Sequence, residues 1–558
     1  MSATQQAEFS AHTGTLQTPP DRRISSDEKS EEGEIELEKS SSAAENGFAP
    51  IRPATTTDNK GLQRLHSTRS RGSRPVERSW SLNDGYSCNN DTEAEAVTGG
   101  PDGAETGESE FVVRWDENDP RNPRNFNTLR RWMIVIICST GSLCVTCTSS
   151  LYTVTYDQIT EEFNCSRLVA TLGLSFFIWG LGIGPLVLGP LSEFYGRRNI
   201  YIASFTFFLI WLIPCAVAKN IETMIVCRFF NGLAGSVFLS VAGGTVGDLF
   251  GRHELGAPMM IYSSAPFAGP EIGPLVGGFI NQYTTWRWTF YILLIWTGTL
   301  LALIVLFVPE TYHPVLLRRK AQMMRKDTGD DRWYAPIEKM DRSIARTVLQ
   351  SLYRPVLLLT LEPMCLNLCI YSAILLGILY LFFGAFQLVF GNVYGFDLSE
   401  RGLSFLGMLV GVFFAVASDP FWRRVYKKLE AKHERAVGIV DDFQPEWRLP
   451  PAIAGGPLVT IGLFVFAWTI YSHVHWIVPI IGSAFFGAGT VLVYSGVFTF
   501  LVDAYPTYAA SALSANSFAR SSFGGIFPLF GIQMYNRLGY HWATSLLAFL
   551  TLVMAPFP

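Results

Sequence analysis

The sequence predicts an all-α membrane protein, with twelve transmembrane helices in two pseudo-symmetric six-helix bundles. Three observations carry that expectation. The 558 residues are 49% hydrophobic and only 16% charged, against about 25% charged in soluble domains. From Trp132 onward, apolar stretches alternate with short polar loops, and each is close to the roughly 20 residues that cross a bilayer. Positive charge gathers in the loops on one side of that alternation, as cytoplasmic loops do.

Residues 1–110 hold 11 Lys+Arg against 20 Asp+Glu, leaving 32 against 27 for the remainder. They are rich in Ser, Thr, Glu, Gly and Pro and nearly free of periodic apolar residues. Such a segment cannot bury enough surface to offset its ordering entropy, so a disordered acidic tail is expected. No secretory signal opens the chain, and the first apolar run acts as an uncleaved signal that leaves this N-terminal tail in the cytoplasm.

Residues 111–308 form the first expected bundle, with spans near 133–153, 168–190, 199–218, 222–247, 257–280 and 289–308. Residues 309–355 read as a cytoplasmic central loop, carrying among others Arg318, Arg319, Lys320, Arg325 and Lys326. The second bundle, 356–558, has spans near 356–384, 402–418, 453–472, 477–501, 509–533 and 541–557. Its first apolar stretch, 356–390, exceeds one crossing and predicts an external amphipathic continuation towards Tyr394. Arg423, Arg424, Lys427 and Lys428 place the loop after span eight on the same side as the central loop.

Several function classes drop out. Seven of the nine cysteines lie in apolar runs and read as small helix residues, not as disulfide or metal ligands. There is no phosphate loop, no catalytic constellation and no basic tract interleaved with aromatics. The expectation is therefore no enzyme, no metal, no cofactor and no nucleic acid as partner; the partners are a small molecule and the lipid bilayer.

Four segments carry candidate chemistry. Gly189-Pro190-Leu191-Ser192-Glu193-Phe194-Tyr195-Gly196-Arg197-Arg198 forms a tight charged turn between spans two and three. Arg228 stands inside span four, where a fixed charge is costly and usually functional. In span five, Gly269, Gly273 and Gly277 make a bare stripe for close helix approach. Pro266, Pro270 and Pro274 beside it free carbonyls and permit bending. Glu271 is a carboxylate at membrane depth, where low dielectric disfavours the charged form, and so a candidate proton carrier. Glu362 and Asp157 are weaker candidates for that role. Arg520 in span eleven meets an anionic substrate or pairs with Glu362. Phe382, Phe383, Tyr494 and Phe498 are candidate cavity aromatics, against the favoured alternative that most of them face lipid or packing neighbours. Asn164-Cys165-Ser166 is an N-glycosylation sequon in the first external loop.

These motifs resemble those of the major facilitator superfamily, over residues 111–558. The Gly189–Arg198 turn is similar to its loop signature G-x-L-x-D-R-x-G-R-R, with Glu193 for Asp and Phe194 at a usually basic position. The resemblance implies a gating latch of Gly189, Glu193, Gly196, Arg197 and Arg198. In it Glu193 faces the amino end of helix eleven, and Arg197 pairs with Asp248. Arg228-Phe229-Phe230-Asn231-Gly232 resembles R-x-x-Q-G, whose arginine the family links to proton coupling. Gly269, Pro270, Gly273, Pro274, Gly277 and Gly278 look like the antiporter signature G-x-x-x-G-P-x-x-G-G. Asp119-Pro120-Arg121-Asn122-Pro123, Pro309-Glu310-Thr311-Tyr312, Pro445 to Pro450 and Asp503 to Pro506 look like fungal twelve-span drug:proton antiporters.

The resemblance implies proton-coupled efflux of small amphipathic molecules (drugs, fungal toxins or other secondary metabolites, or polyamines). It implies alternating access driven by the proton gradient, with no cofactor, by a monomer in the plasma membrane; the vacuolar membrane is the alternative. A proton-symporting nutrient importer of the same fold is the rival reading. A non-transporting membrane sensor is the rival from another class.

Overall fold

The computed structural model describes residues 111–116, 119–251, 254–339, 343–437 and 444–557. The expected acidic tail, residues 1–110, lies outside the described residues.

The described chain is helical. α1 (Thr128–Glu162), α2 (Arg167–Tyr195), α3 (Arg197–Ala216) and α4 (Ile221–Leu249) are followed by α5 (Gly256–Tyr283) and α6 (Trp286–Phe307). After two linking helices, His313–Thr328 and Ile344–Leu361, come α7 (Pro363–Asn392), α8 (Leu398–Arg435), α9 (Pro450–Thr469) and α10 (Ile477–Ala504). α11 (Ala509–Leu538) and α12 (Tyr540–Met554) close the chain. Among the described residues, nine of these helices are long and apolar enough to cross a membrane. α5 and α11 have the length but less apolarity, because Gly, Pro, Ser and a charged residue within each replace aliphatic side chains. α12 is apolar but short.

Local sequence explains several helix starts. Asn127, Ser166 and Asn220 each accept a backbone N–H of the following first turn with the side-chain oxygen, satisfying a donor the helix leaves open. α1 is interrupted by a tighter turn at Tyr152–Thr155. There the Thr153 and Thr155 hydroxyls each donate to a carbonyl three residues back, at 2.7 Å, a local competition that bends helices.

One pairing scheme occurs twice. α1 packs on α5, α2 and α3 on α4, and α3 on α6; likewise α7 packs on α11, α8 and α9 on α10, and α9 on α12. Between the two sets, α2 lies against α11 and α5 against α8. The two less apolar helices, α5 and α11, each meet helices of both sets, as α2 and α8 do.

The 356–390 stretch departs from the expectation. It is not one crossing with an external continuation. Glu362 is extended (φ −111°, ψ 95°) and Pro363 opens α7, since the ring disfavours helical geometry in the residue before it. Residues up to Leu361 instead complete an amphipathic linking helix at the basic end. The central loop is likewise mostly helical. Its first helix and the residues just after it hold the segment before α1: Val113 N donates to Tyr334 O at 3.0 Å. Lys320 Nζ reaches Asp116 Oδ2 at 2.8 Å and Asp119 Oδ2 at 2.9 Å.

Candidate functional site

The turn between α2 and α3 is built around Gly196, whose φ of +89° is open to glycine without steric cost. It turns Arg197 inward, where the side chain is 1% exposed. Arg197 Nε lies 3.3 Å from Asp248 Oδ2 at the end of α4. Another guanidinium nitrogen donates to Ser192 Oγ at 2.9 Å, and the group lies over the Tyr312 ring at 4.7 Å. Glu310 completes the turn from outside: one oxygen accepts from the amides of Arg197 (2.8 Å), Thr311 (3.1 Å) and Tyr312 (3.0 Å). The sequence reading placed Glu310 in a motif but assigned it no role. Arg198 points elsewhere and donates to Val305 O at 2.9 Å. Glu193 lines a small recess with Pro190 of α2 and with Ala510 and Ser511 of the first turn of α11; Gly189 accepts from Ser192 Oγ through its carbonyl at 2.7 Å.

The second set of helices repeats this arrangement, which sequence reasoning missed. Just before α9, Arg448 Nε lies 2.7 Å from Asp503 Oδ2 near the end of α10, with the side chains 10% and 7% exposed. Its guanidinium lies over the Tyr426 ring at 4.3 Å. The signal was present as equivalent positions, since α3 and α4 pair as α9 and α10 do, but the two segments share no obvious motif.

The glycines of α5 meet α1 directly. A methyl group at Gly269 would overlap Thr146, and one at Gly273 would overlap Ser150. Cys147 Sγ and Ser150 Oγ both donate to Gly269 O, at 3.2 and 3.3 Å. Gly277 faces Leu151 and Val154. Gly278 and Pro274 instead face the start of α8, where Gly402 sits against the Pro274 carbonyl. Pro266 and Pro270 line the central cavity. The motif thus has three faces: one packs α1, one meets the other set of helices, and one borders open space.

Glu271 is 1% exposed, and its Oε2 has no hydrogen-bond partner. It lies within electrostatic reach of Cys147 and of Tyr380. The Tyr380 hydroxyl is 3.0 Å from Ser149 Oγ of α1. Arg228 is fully buried and, among the described residues, meets no carboxylate. It donates to Gly173 O at 3.2 Å and Thr148 O at 3.0 Å and lies between the rings of Tyr152 (4.2 Å) and Phe177 (4.6 Å). Backbone carbonyls and ring faces are what can hold a cation where acids are missing. Glu362 is remote from this group: half-buried at the start of α7, it accepts a long contact from the Tyr505 hydroxyl at 3.5 Å. The alternative pairing of Arg520 with Glu362 does not occur. Asp157 is also elsewhere, in an exposed ion pair with Arg167 at 2.7 Å.

An open cavity lies between the two sets of helices, lined by α1, α2, α4, α5, α7, α10 and α11. A second lies between α5, α8, α9 and α10 beside the basic residues Arg423 and Arg448. The two adjoin at Ser263 and Phe267, which line both. Towards the opposite end the helices close. Trp179 Nε1 donates to Ser522 O at 3.4 Å, and the Leu398 amide donates to Gln282 Oε1 at 3.2 Å. Phe498 lines the central cavity and stacks on Tyr494, which stacks on Phe267. Phe382 and Phe383 do not line it; they pack against Phe486 and Phe405 in the core. Asn164 is exposed between α1 and α2, with φ of +50°.

A family model described as Major Facilitator Superfamily matches residues 138–528. The chain is 56% identical over 452 residues to "Efflux pump atB" of Aspergillus terreus, covering 81% of this chain and 87% of that protein. It is 42% identical over 452 residues to "Probable drug/proton antiporter YHK8" of Saccharomyces cerevisiae, covering 80% and 87%. Among solved structures, the xylose transporter XylE from E. coli, in a partially occluded inward open conformation, superposes with a TM-score of 0.54. It is 17% identical, covering 76% of this chain and 98% of that one, a likeness of fold alone.

Proposed function

Because this chain belongs to the Major Facilitator Superfamily, we propose that it is a proton-coupled exporter of small amphipathic molecules. The two moving bodies are residues 111–308 and 356–558, joined through 309–355, and they rock about the central cavity to expose it to each side in turn. The observation that carries the reading is Glu271, a buried carboxylate with one oxygen unpartnered, on the helix that borders both α1 and the cavity. A proton bound there removes a charge from the interface. The two states then differ in free energy by what that charge costs in each. The relatives described as an efflux pump and a drug/proton antiporter support the direction and the coupling.

In this scheme Arg228 tightens α1, α2 and α4 around the coupling site. The Gly189–Arg198 turn, with Glu193, Arg197, Arg198 and Asp248, acts as the gating latch at the basic end. Gly269, Pro270, Gly273, Pro274, Gly277 and Gly278 give α5 the close contact and the bend that rocking requires. The basic end and the N-terminus face the cytoplasm, Asn164 faces outside and carries a glycan, and the protein works as a monomer in the plasma membrane.

The test is accumulation of a labelled apolar toxin in cells expressing the chain, with and without a protonophore, beside the Glu271→Gln variant. Low accumulation that rises with protonophore, and equally in the variant, is the expected result. Accumulation that falls when the protonophore is added identifies an importer and overturns the reading.

A further inference from the structure

Arg520 stands apart from the other arginines enclosed by the helices. Arg197 has Asp248, Arg448 has Asp503, and Arg228 donates to two backbone carbonyls. Arg520 has ring faces only: its guanidinium lies 4.7 Å from the Phe498 centroid and 5.3 Å from that of Tyr494. Its Nε is buried with no hydrogen-bond partner. Among the described residues it meets no carboxylate. A guanidinium carries five donors in a planar fork, and stacking on rings uses its faces while leaving its edges unspent.

Those edges border the central cavity. Of the side chains that line it, Arg520 alone carries a charge. Glu271 is close by along α5, but its neighbour Pro270 lines the cavity and Glu271 does not. On α11, Ser517 and Ser521 flank Arg520 along the same face and line the same space, adding hydroxyl donors. The remaining wall is largely apolar, with Leu181, Leu376, Leu379 and Phe267 among its members. A cation entering would meet a fixed positive charge and no facing acid. An anion would pair the fork and relieve a charge that is costly to leave alone.

We propose that this cavity is an anion site, in which Arg520 receives the carboxylate-like head of a small, otherwise apolar and ring-bearing molecule. The inference rests on the cavity being the cargo site of the proposed exporter. It narrows the cargo to organic anions and counts against polyamines. A bidentate contact from Arg520 to the head group, with Phe498 and Phe267 beside the ring, would supply both the charge and the shape selection.

The test is binding to the purified full-length protein in detergent, by calorimetry or thermal shift. Three probes of one shape are used: 1-naphthoate, the neutral 1-naphthamide and the cationic 1-naphthylmethylammonium. The wild type is expected to bind naphthoate at least about tenfold more tightly than the other two, as for a charge-assisted contact. Arg520→Gln should lose that preference while still binding the amide, and Arg520→Lys should keep part of it. If Arg520→Gln does not fold, the wild-type ranking and Arg520→Lys decide. Equal binding of the three probes, tighter binding of the cation, or no binding of naphthoate overturns the proposal, as does an unchanged preference in Arg520→Gln. Binding is read without flux, so a protein that selects anions yet imports them would refute the export reading and leave the site standing.

Discussion

Arg448 and Asp503 form a largely enclosed ion pair of 2.7 Å where α9 begins and α10 ends, with the guanidinium over Tyr426. Arg197 and Asp248 do the same where α3 begins and α4 ends, at 3.3 Å and over Tyr312. Each half of the protein thus fastens its third helix to its fourth with an arginine, an acid and a tyrosine ring. Only the first pairing was implied by a motif; Arg448 and Asp503 lay in two separate motif segments that nothing in the sequence joined.

Removing one partner of such a pair leaves the other buried and uncompensated, at a cost of about 3 kcal/mol or more. Asp503→Asn and Asp248→Asn should therefore both lower the thermal unfolding temperature of the purified protein, by similar amounts. A drop in Asp248→Asn alone would show that the second pair is solvated in the folded protein.

Glu310 makes three amide contacts with one oxygen, including that to Arg197, 113 positions away. Glu310→Ala leaves those donors without an acceptor and should cost about 1–3 kcal/mol. Glu310→Gln keeps a carbonyl oxygen in place and should lose less. Unfolding temperatures of the two variants, measured side by side, check the order.

The two carboxylates that sequence placed at membrane depth should behave differently. Glu271 is buried beside the cavity, whereas Glu362 begins a helix at the basic end. Glu271→Gln should abolish proton-dependent flux. Glu362→Gln should keep most of it, with at most about a twofold change from helix-start effects. The measurement is initial transport rate in vesicles with an imposed pH gradient. Equal loss in both variants would return Glu362 to the coupling site.

The segment before α1 should undock at the pH extremes. The hydrogen bond from Lys320 holds the Asp119 carboxyl below its ordinary value, with the Arg121 amide and charge assisting. Burial opposes the charge on Lys320, but its bonds to Asp116 and Asp119 outweigh it and raise its pKa. A depressed acid contributes stability above its unfolded pKa of about 4 and loses it as pH falls through the folded value. A raised lysine contributes below about 10.4 and loses it as pH rises further. Hydrogen exchange at residues 111–125, corrected for intrinsic rates, should be slowest between those limits and quicken outside them. Lys320→Met should flatten the profile.

Much of the architecture was legible in one sequence. Spans two to six and nine to twelve were placed to within about five residues at each end, because apolar length against bilayer thickness is a local property. The 356–390 stretch failed for a physical reason: hydropathy sums over residues and is blind to the backbone break that Glu362-Pro363 imposes. Phe382 and Phe383 were equally illegible, since an aromatic side chain looks the same facing a cavity or a core.

By itself the sequence determined the membrane class, the positions of the spans, the charged side of the loops, and the chemical types available at depth: Glu271, Arg228 and Arg520. Tertiary structure alone decided which of these groups meet. It gave Arg197 and Arg448 their acids, wrapped Arg228 in carbonyls and rings, and left Arg520 unpaired beside open space. The reason is that helix periodicity fixes which residues share a face, while the partner of that face is chosen by packing between helices far apart in the chain.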